Sequence, residues 1–170
     1  LLIIRSHGAG PEVFAKCKDI GIVIKDATCP FVKRIHEIVH IAVKKGERIF
    51  IAGETEHPEV MGICGWAGTG AVILKDAAAA DALEKSTSPC CLVAQTTLRR
   101  EQFNEIREAL QDKCVNLTVH DTICDTTSSR QQEAKKLAQK STVVIVVGGH
   151  NSSNTQKLAQ VCKQSCENTY

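Results

Sequence analysis

What most constrains the fold of this chain is an alternation. Short runs of β-branched and apolar residues are each followed by a stretch whose apolar residues recur with helical period. The strand candidates are Leu1–Arg5, Gly21–Lys25, Arg48–Ala52, Ala71–Leu74, Cys90–Ala94, Val115–Val119 and Thr142–Val147. Between them the clearest helix runs from Phe31 to Lys45, with Phe31, Ile35, Ile38, Val39, Ala42 and Val43 on one stripe and Gly46 in C-cap position. Arg99 to Gln111 reads as a second, with Phe103, Ile106 and Leu110 inward; Asp81 to Lys85, Gln131 to Gln139 and Asn154 to Gln164 supply others. Strands that are apolar throughout and separated by helices belong to parallel sheets covered on both faces, so the fold class is α/β. Such short repeated strand-helix units predict several small parallel sheets, because one wide sheet would leave little room for the polar loops.

Composition narrows the function. A chain that is 43% hydrophobic and 24% charged has a core to bury and is not a disordered segment. Its net charge is only +2 and no basic run exceeds Lys44–Lys45 or Lys135–Lys136, which speaks against nucleic acid as a partner. Apolar runs such as Val143 to Val147 fall far short of the roughly 20 residues that span a bilayer, and the first residues lack the charged start of a secretion signal. The expectation is a cytoplasmic protein without a membrane partner. Nine cysteines, an odd number, argue against a complete disulfide framework there. Cys17, Cys64, Cys90, Cys91, Cys114, Cys162 and Cys166 read as small core residues. Cys29 and Cys124 stand apart, because both lie in strand-to-helix turns.

Ligands of open parallel sheets gather beyond the carboxyl ends of the strands, where helix N-termini offer N–H groups to anions. The unusual residues of this sequence fall there: Ser6-His7-Gly8, Asp26-Ala27-Thr28-Cys29-Pro30, Glu56-His57-Pro58-Glu59, Gln95-Thr96-Thr97, Asp121-Thr122-Ile123-Cys124 and Gly148-Gly149-His150-Asn151-Ser152-Ser153-Asn154-Thr155. Taken singly, each has an ordinary structural reading. Cys29-Pro30 and His57-Pro58-Glu59 suit helix starts with proline at the first position. Ser152, Ser153 and Asn154 suit an N-cap, or, beside two glycines that let the backbone approach closely, a phosphate. Their coincidence at strand ends marks a site. The wide separation of Cys29 and Cys124 does not match zinc-finger spacing. It suits an iron–sulfur cluster, whose thiolates can come from distant loops, although two thiolates do not hold a cubane and a third must come from elsewhere.

Together, Arg5-Ser6-His7-Gly8, Asp26-Ala27-Thr28-Cys29-Pro30-Phe31-Val32, His57-Pro58-Glu59-Val60-Met61-Gly62, Gln95-Thr96-Thr97-Leu98, Asp121-Thr122-Ile123-Cys124 with Arg130-Gln131, and Val146-Val147-Gly148-Gly149-His150-Asn151-Ser152-Ser153-Asn154-Thr155 resemble, in order, the motif series of the 4-hydroxy-3-methylbut-2-enyl diphosphate reductases, the IspH/LytB family. The resemblance covers nearly the whole chain. It implies a three-lobed, trefoil-like α/β protein around a 4Fe-4S cluster held by three cysteines, one per lobe. On that pattern residues 1–24 are a remnant of the first lobe, 25–118 the second and 119–170 an incomplete third. Cys29 and Cys124 match two of the ligands; the third cysteine, an upstream histidine and a downstream serine have no counterpart here. The chain therefore reads as the central portion of the enzyme.

The implied reaction is a reductive dehydroxylation. Two electrons and two protons convert the allylic alcohol diphosphate to isopentenyl and dimethylallyl diphosphates plus water, in the methylerythritol phosphate route to isoprenoids, with ferredoxin or flavodoxin as donor. By the same resemblance Glu59 delivers a proton, Thr96 relays protons beside the substrate alcohol, and His7, His57, Ser152, Ser153 and Asn154 clamp the diphosphate. A clamp of imidazoles and hydroxyls predicts binding that weakens as pH rises above the histidine pKa. Two other readings stay open: a thiol-dependent hydrolase or transferase using Cys29 or Cys124 beside His57, and a non-catalytic phosphate-binding module.

Overall fold

The structure, a computed structural model, describes the backbone of residues 1–170 and the side chains of all but 125–128. Two compact units make up the chain, Leu1–Thr122 and Ile123–Tyr170.

The first unit holds two all-parallel sheets. In the smaller, β1 (Leu2–Ile4) pairs with β2 (Ile24–Asp26), Leu2 opposite Ile24 and Ile4 opposite Asp26. The larger has the order β4-β3-β5-β6, formed by β3 (Arg48–Ala52), β4 (Val72–Leu74), β5 (Cys90–Ala94) and β6 (Leu117–Val119). Helices α1 (Pro11–Asp19), α2 (Pro30–Lys44), α3 (Pro58–Ala67), α4 (Ala77–Asp81) and α5 (Arg100–Gln111) connect them. This is the α/β class with small parallel sheets that the alternation implies. The central pair carries the core: Ile49, Phe50, Ile51 and Ala52 of β3 and Cys90 to Ala94 of β5 are all buried. Ile49, Ile51, Cys91 and Val93 cluster with Ile35, Val39 and Ala42 of α2 and with Val60, Ile63 and Ala67 of α3. Strand alternation sends Phe50 and Leu92 to the opposite face.

Among the departures of the elements from the sequence reading, four bear on packing. On α2 the inward stripe is Val32, Ile35, His36, Val39 and Ala42, whereas Phe31 and Val43 are exposed. Helix α4 forms at Ala77–Asp81 and not at 81–85, because the Asp76 carboxylate accepts from Ala79 N–H at 2.8 Å and starts the helix earlier. Helix α1 begins where Pro11 takes a first-turn position, which the sequence reading does not assign.

The fourth departure lies in the second unit, where α6 (Asp125–Ala138) and α7 (Ser153–Lys163) pack around Ala138, Cys162 and Cys166, with Ala134, Val144 and Val146 alongside. The Thr142–Val147 run makes only an isolated parallel bridge, Val144 to Thr169. Val144 N–H donates to Asn168 O at 3.0 Å and Val146 N–H to Tyr170 O at 2.7 Å. Pairing with such a short segment, on one side, does not extend a ladder, and Val143, Ile145 and Val147 stay exposed.

The first unit rests on the β3–β5 pair, so Ile51→Ala is expected to cost about 2–5 kcal/mol in urea-induced unfolding. Ile41→Ala, on the exposed side of α2, is expected to cost no more than about 0.5 kcal/mol by the same measurement.

Candidate active site

The chain leaves β3 toward β4 on one side, whereas β5 and then β6 lie on the other, so the strand order reverses between β3 and β5. A crevice opens at such a reversal beyond the carboxyl ends of the strands. The loop after β3 carries His57 and Glu59; the loop after β5 carries Gln95, Thr96 and Thr97. Gln95, wholly buried, ties the two loops together: its backbone N–H donates to Ala52 O at 2.8 Å and its Oε1 accepts from Glu54 N–H at 3.1 Å. Its Nε2 donates to Thr97 Oγ1 at 2.7 Å. Gly53 is required here, because a Cβ on it would lie 2.8 Å from Val60 Cγ2 and 3.0 Å from Gln95 Cβ.

Beyond these strand ends Glu59 and Thr96 face one another. Glu59 is 2% exposed and Thr96 7%. Thr96 N–H donates to Glu59 Oε1 at 2.6 Å and the Thr96 hydroxyl donates to Oε2 at 2.7 Å. Burial pushes the Glu59 carboxyl above its usual range, and the two Thr96 hydrogen bonds oppose that only in part. A carboxylic acid of this kind holds a proton at a pH where an exposed glutamate has lost it. Once Glu59 is protonated, its O–H can donate to Thr96 Oγ1, which turns the threonine hydroxyl outward as a donor.

His57 is the N-cap of α3; its Nδ1 accepts from Glu59 N–H at 3.2 Å, which fixes the ring over the helix start. His7, in the loop after β1, meets it edge to face with ring centroids 5.5 Å apart. Burial first, and the Arg5 charge second, hold the His7 pKa below the usual imidazole range. At neutral pH the His7 ring is thereby uncharged. Cys29 is the N-cap of α2, half-buried, and its N–H donates to Ser6 O at 3.0 Å, next to His7. Just before it, Asp26 Oδ1 accepts from Thr28 N–H at 2.9 Å and Oδ2 pairs with Lys33 at 2.7 Å. Burial raises the Asp26 pKa, but the Lys33 and Thr28 hydrogen bonds win and hold it at about 2. The first unit thus brings Cys29, His7, His57, Glu59 and Thr96 to neighbouring loops.

Cys124, Ser152, Ser153 and Asn154 belong to the second unit. Cys124 is the N-cap of α6 and Ser152 that of α7, its hydroxyl accepting from Thr155 N–H at 3.4 Å. The preceding turn is tight: Ser152 N–H donates to Gly149 O at 2.9 Å, and a Cβ on Gly148 would lie 2.2 Å from Thr155 Oγ1. Ser153 and Asn154 follow in the first turn of α7.

All nine cysteines are free. Burial pushes the Cys91 and Cys114 thiols up to about 12, which makes them inert core groups, as the sequence reading expects of that set. Cys29 and Cys124 differ in standing half-buried at helix N-termini. The donor type fits an iron–sulfur cluster. Among the described residues no group of three His, Cys, Asp or Glu side chains is arranged to hold a metal ion.

A family model described as LytB protein matches residues 1–170. The chain belongs to the LytB family. It is 44% identical over 163 residues to the 4-hydroxy-3-methylbut-2-enyl diphosphate reductase of Clostridioides difficile, covering 95% of this chain and 58% of the relative. It is 42% identical over 172 residues to the protein of the same name from Caldanaerobacter subterraneus subsp. tengcongensis, covering 99% of this chain and 58% of the relative. Among solved structures, the E-1-hydroxy-2-methyl-but-2-enyl-4-diphosphate reductase from Plasmodium falciparum matches with a TM-score of 0.87 at 28% identity, over 96% of this chain and 53% of that one. A second solved structure, an (E)-4-hydroxy-3-methyl-but-2-enyl diphosphate reductase described as the terminal enzyme of the non-mevalonate pathway, matches with a TM-score of 0.66 at 36% identity, over 99% of this chain and 60% of that one. This LytB chain thus spans 58% of the length of the Clostridioides and Caldanaerobacter reductases. No helix among the described residues is long and apolar enough to cross a membrane.

Two features of this LytB site escape the sequence reading. Thr122 both accepts from Ala94 N–H at 2.8 Å and donates to Ala94 O at 2.6 Å, extending the β5 edge with a side chain. His36 lies beneath the His7 turn; a histidine among Val32, Ile35 and Val39 on a buried stripe is the signal that could have found it.

A carboxyl whose folded pKa exceeds its unfolded value contributes stability that is full below the unfolded value and is lost as pH rises through the folded one. Thermal unfolding of the wild type and Glu59→Gln should therefore diverge as pH rises above about 4, the variant gaining on the wild type and the gap levelling once Glu59 is ionised. A gap that does not change with pH would refute the raised pKa.

Proposed function

We propose that this LytB chain is the central portion of a 4-hydroxy-3-methylbut-2-enyl diphosphate reductase, acting in the cytoplasm with ferredoxin or flavodoxin as electron donor. The observation that carries the reading is the buried Glu59–Thr96 pair beside His57 and His7 at the reversal of strand order, in a chain matched by the LytB model from end to end. Nine free cysteines fit a reducing compartment.

In this reading Cys29 and Cys124 hold a 4Fe-4S cluster together with a third cysteine from outside this sequence. When bound, the cluster supplies the two electrons and a Lewis-acidic iron for the substrate hydroxyl. The residues of this chain do the rest. His7 and His57, with Ser152, Ser153 and Asn154, bind the diphosphate by directional hydrogen bonds and so orient its allylic alcohol for reaction. Glu59, kept protonated by burial, passes its proton through the Thr96 hydroxyl to the leaving oxygen. The C–O bond breaks and the hydroxyl departs as water. The two electrons and the second proton go to the allylic fragment, whose two ends give the isopentenyl and dimethylallyl products.

Three variants of the full-length protein, purified without oxygen, test this reading. Cys29→Ser and Cys124→Ser are each expected to abolish the iron and sulfide complement; a full complement in either would refute that ligand assignment. Glu59→Gln is expected to keep the cluster and inorganic pyrophosphate affinity while kcat falls about 10²- to 10⁴-fold. Glu59→Gln at wild-type kcat would overturn the proton-donor role.

A further inference from the structure

The turn that carries His7 lies directly on α3 and over α2. Gly8 has a φ of 75°, and a Cβ on it would lie 2.6 Å from His36 Cε1 and 3.1 Å from Thr28 Cγ2. On α3, a Cβ at Gly62 would stand 3.6 Å from His7 O, Ala9 N and His36 Nε2 alike; one at Gly65 would be 2.7 Å from Gly10 Cα. At Gly8 and Gly65 only glycine permits so close an approach, whereas the distances at Gly62 are ordinary van der Waals contacts. Trp66 then fastens the loop, its indole N–H donating to Ala9 O at 3.0 Å. The same indole stacks on His36, centroids 5.6 Å apart and rings inclined by 22°.

His36 is a costly choice for a mere filler. It is 6% exposed, and its Nε2 is buried without a hydrogen-bond partner. An apolar residue would avoid that penalty. What histidine offers is a flat ring thin enough to pass between Gly8 and the Trp66 face. Burial pulls its pKa down to about 4 against the opposing pull of Asp26, so the ring stays neutral. Neither His36 nor Trp66 lies on the crevice; both reach it through the backbone of residues 7–10.

We propose that Trp66 and His36 are positioning residues that set the place of His7 opposite His57, Trp66 by holding the Ala9 carbonyl and His36 by supporting the turn at Gly8. Their effect on the reaction rests on His7 acting in the diphosphate clamp. A pair of side chains that never touches the anion thus tunes its affinity.

The test uses the full-length, cluster-loaded protein with Trp66→Phe, which keeps a ring and removes the N–H, and His36→Gln, which removes the stacking ring. The first readout needs no ligand: the rate at which diethyl pyrocarbonate modifies His7, followed by peptide mass spectrometry. It is expected to rise about threefold or more in both variants, as the loss of one fixed hydrogen bond or support permits. The second is kinetic: KM for the diphosphate substrate and Kd for inorganic pyrophosphate rise about three- to tenfold while kcat and iron content stay within about twofold. His40→Gln, at an exposed position that meets the indole edge-on, should leave both readouts unmoved. Unchanged His7 labelling in both variants would overturn the proposal, as would a fall in kcat with KM unchanged. If His7→Asn leaves pyrophosphate affinity intact, the clamp reading fails instead, and the labelling rate still decides whether Trp66 and His36 position the turn.

Discussion

The pairing of β3 with β5 is the constraint on which the first unit depends. The two strands run in parallel register from Arg48 beside Cys90 to Ala52 beside Ala94, and both are buried on both faces. Because the chain departs from them in opposite directions, the loops that follow them meet beyond their carboxyl ends. Gln95 converts that topological accident into a rigid crevice. Its backbone continues the ladder to Ala52 while its amide bridges Glu54 on one side and Thr97 on the other. A buried amide with its hydrogen bonds satisfied adds order that an apolar residue would not. The Glu59–Thr96 pair is the result, since each partner is held by a different strand end.

Rigidity of this kind matters to the proposed proton relay, which tolerates little slack. Glu59 receives two short contacts from one residue, and both accepting oxygens are used. The backbone N–H of Thr96 cannot turn away, so Oε1 is engaged in either protonation state. The Thr96 hydroxyl can turn, so the second contact is reversible: it donates to a carboxylate and accepts from a carboxylic acid. Burial, which raises the Glu59 pKa, therefore does more than store a proton. It decides which way the threonine hydroxyl points.

The architecture is legible in the sequence because parallel buried strands leave a strong mark. Arg48–Ala52 and Cys90–Ala94 are bounded to the residue, since continuous apolar runs end sharply at Gly53 and Gln95. The helix starts at Cys29, His57 and Ser152 are legible as well, two of them through the proline that follows. What the sequence hides is whatever depends on a neighbour. Thr142–Val147 has the composition of a strand but pairs only through a single bridge to Thr169. Phe31 and Val43 continue the apolar pattern of α2 yet face outward, because the stripe that meets β3 and β5 is rotated to take in Val32 and His36. A one-dimensional pattern fixes the period of a helix more firmly than its phase. His36 is hidden for the same reason, and so is the function of Gly65, whose missing side chain matters only once the loop of residues 7–10 is laid across it.

The histidines show how one residue type takes different duties from its surroundings. His57 spends Nδ1 on the N–H of Glu59, so in the neutral ring the proton sits on Nε2, which is then a donor. His7 and His36 are both kept uncharged by burial, yet only His7 stands beside another imidazole of the crevice, while His36 is sandwiched against an indole. Neutral donors hold a diphosphate less tightly than lysine or arginine would. In the proposed reaction the product bears the same charged group as the substrate, so that weakness is an advantage: charge-based affinity would bind both alike and slow the exit. Discrimination then falls to the end of the molecule where the hydroxyl is lost, at Thr96 and Glu59, the groups that the β3–β5 pairing holds most firmly.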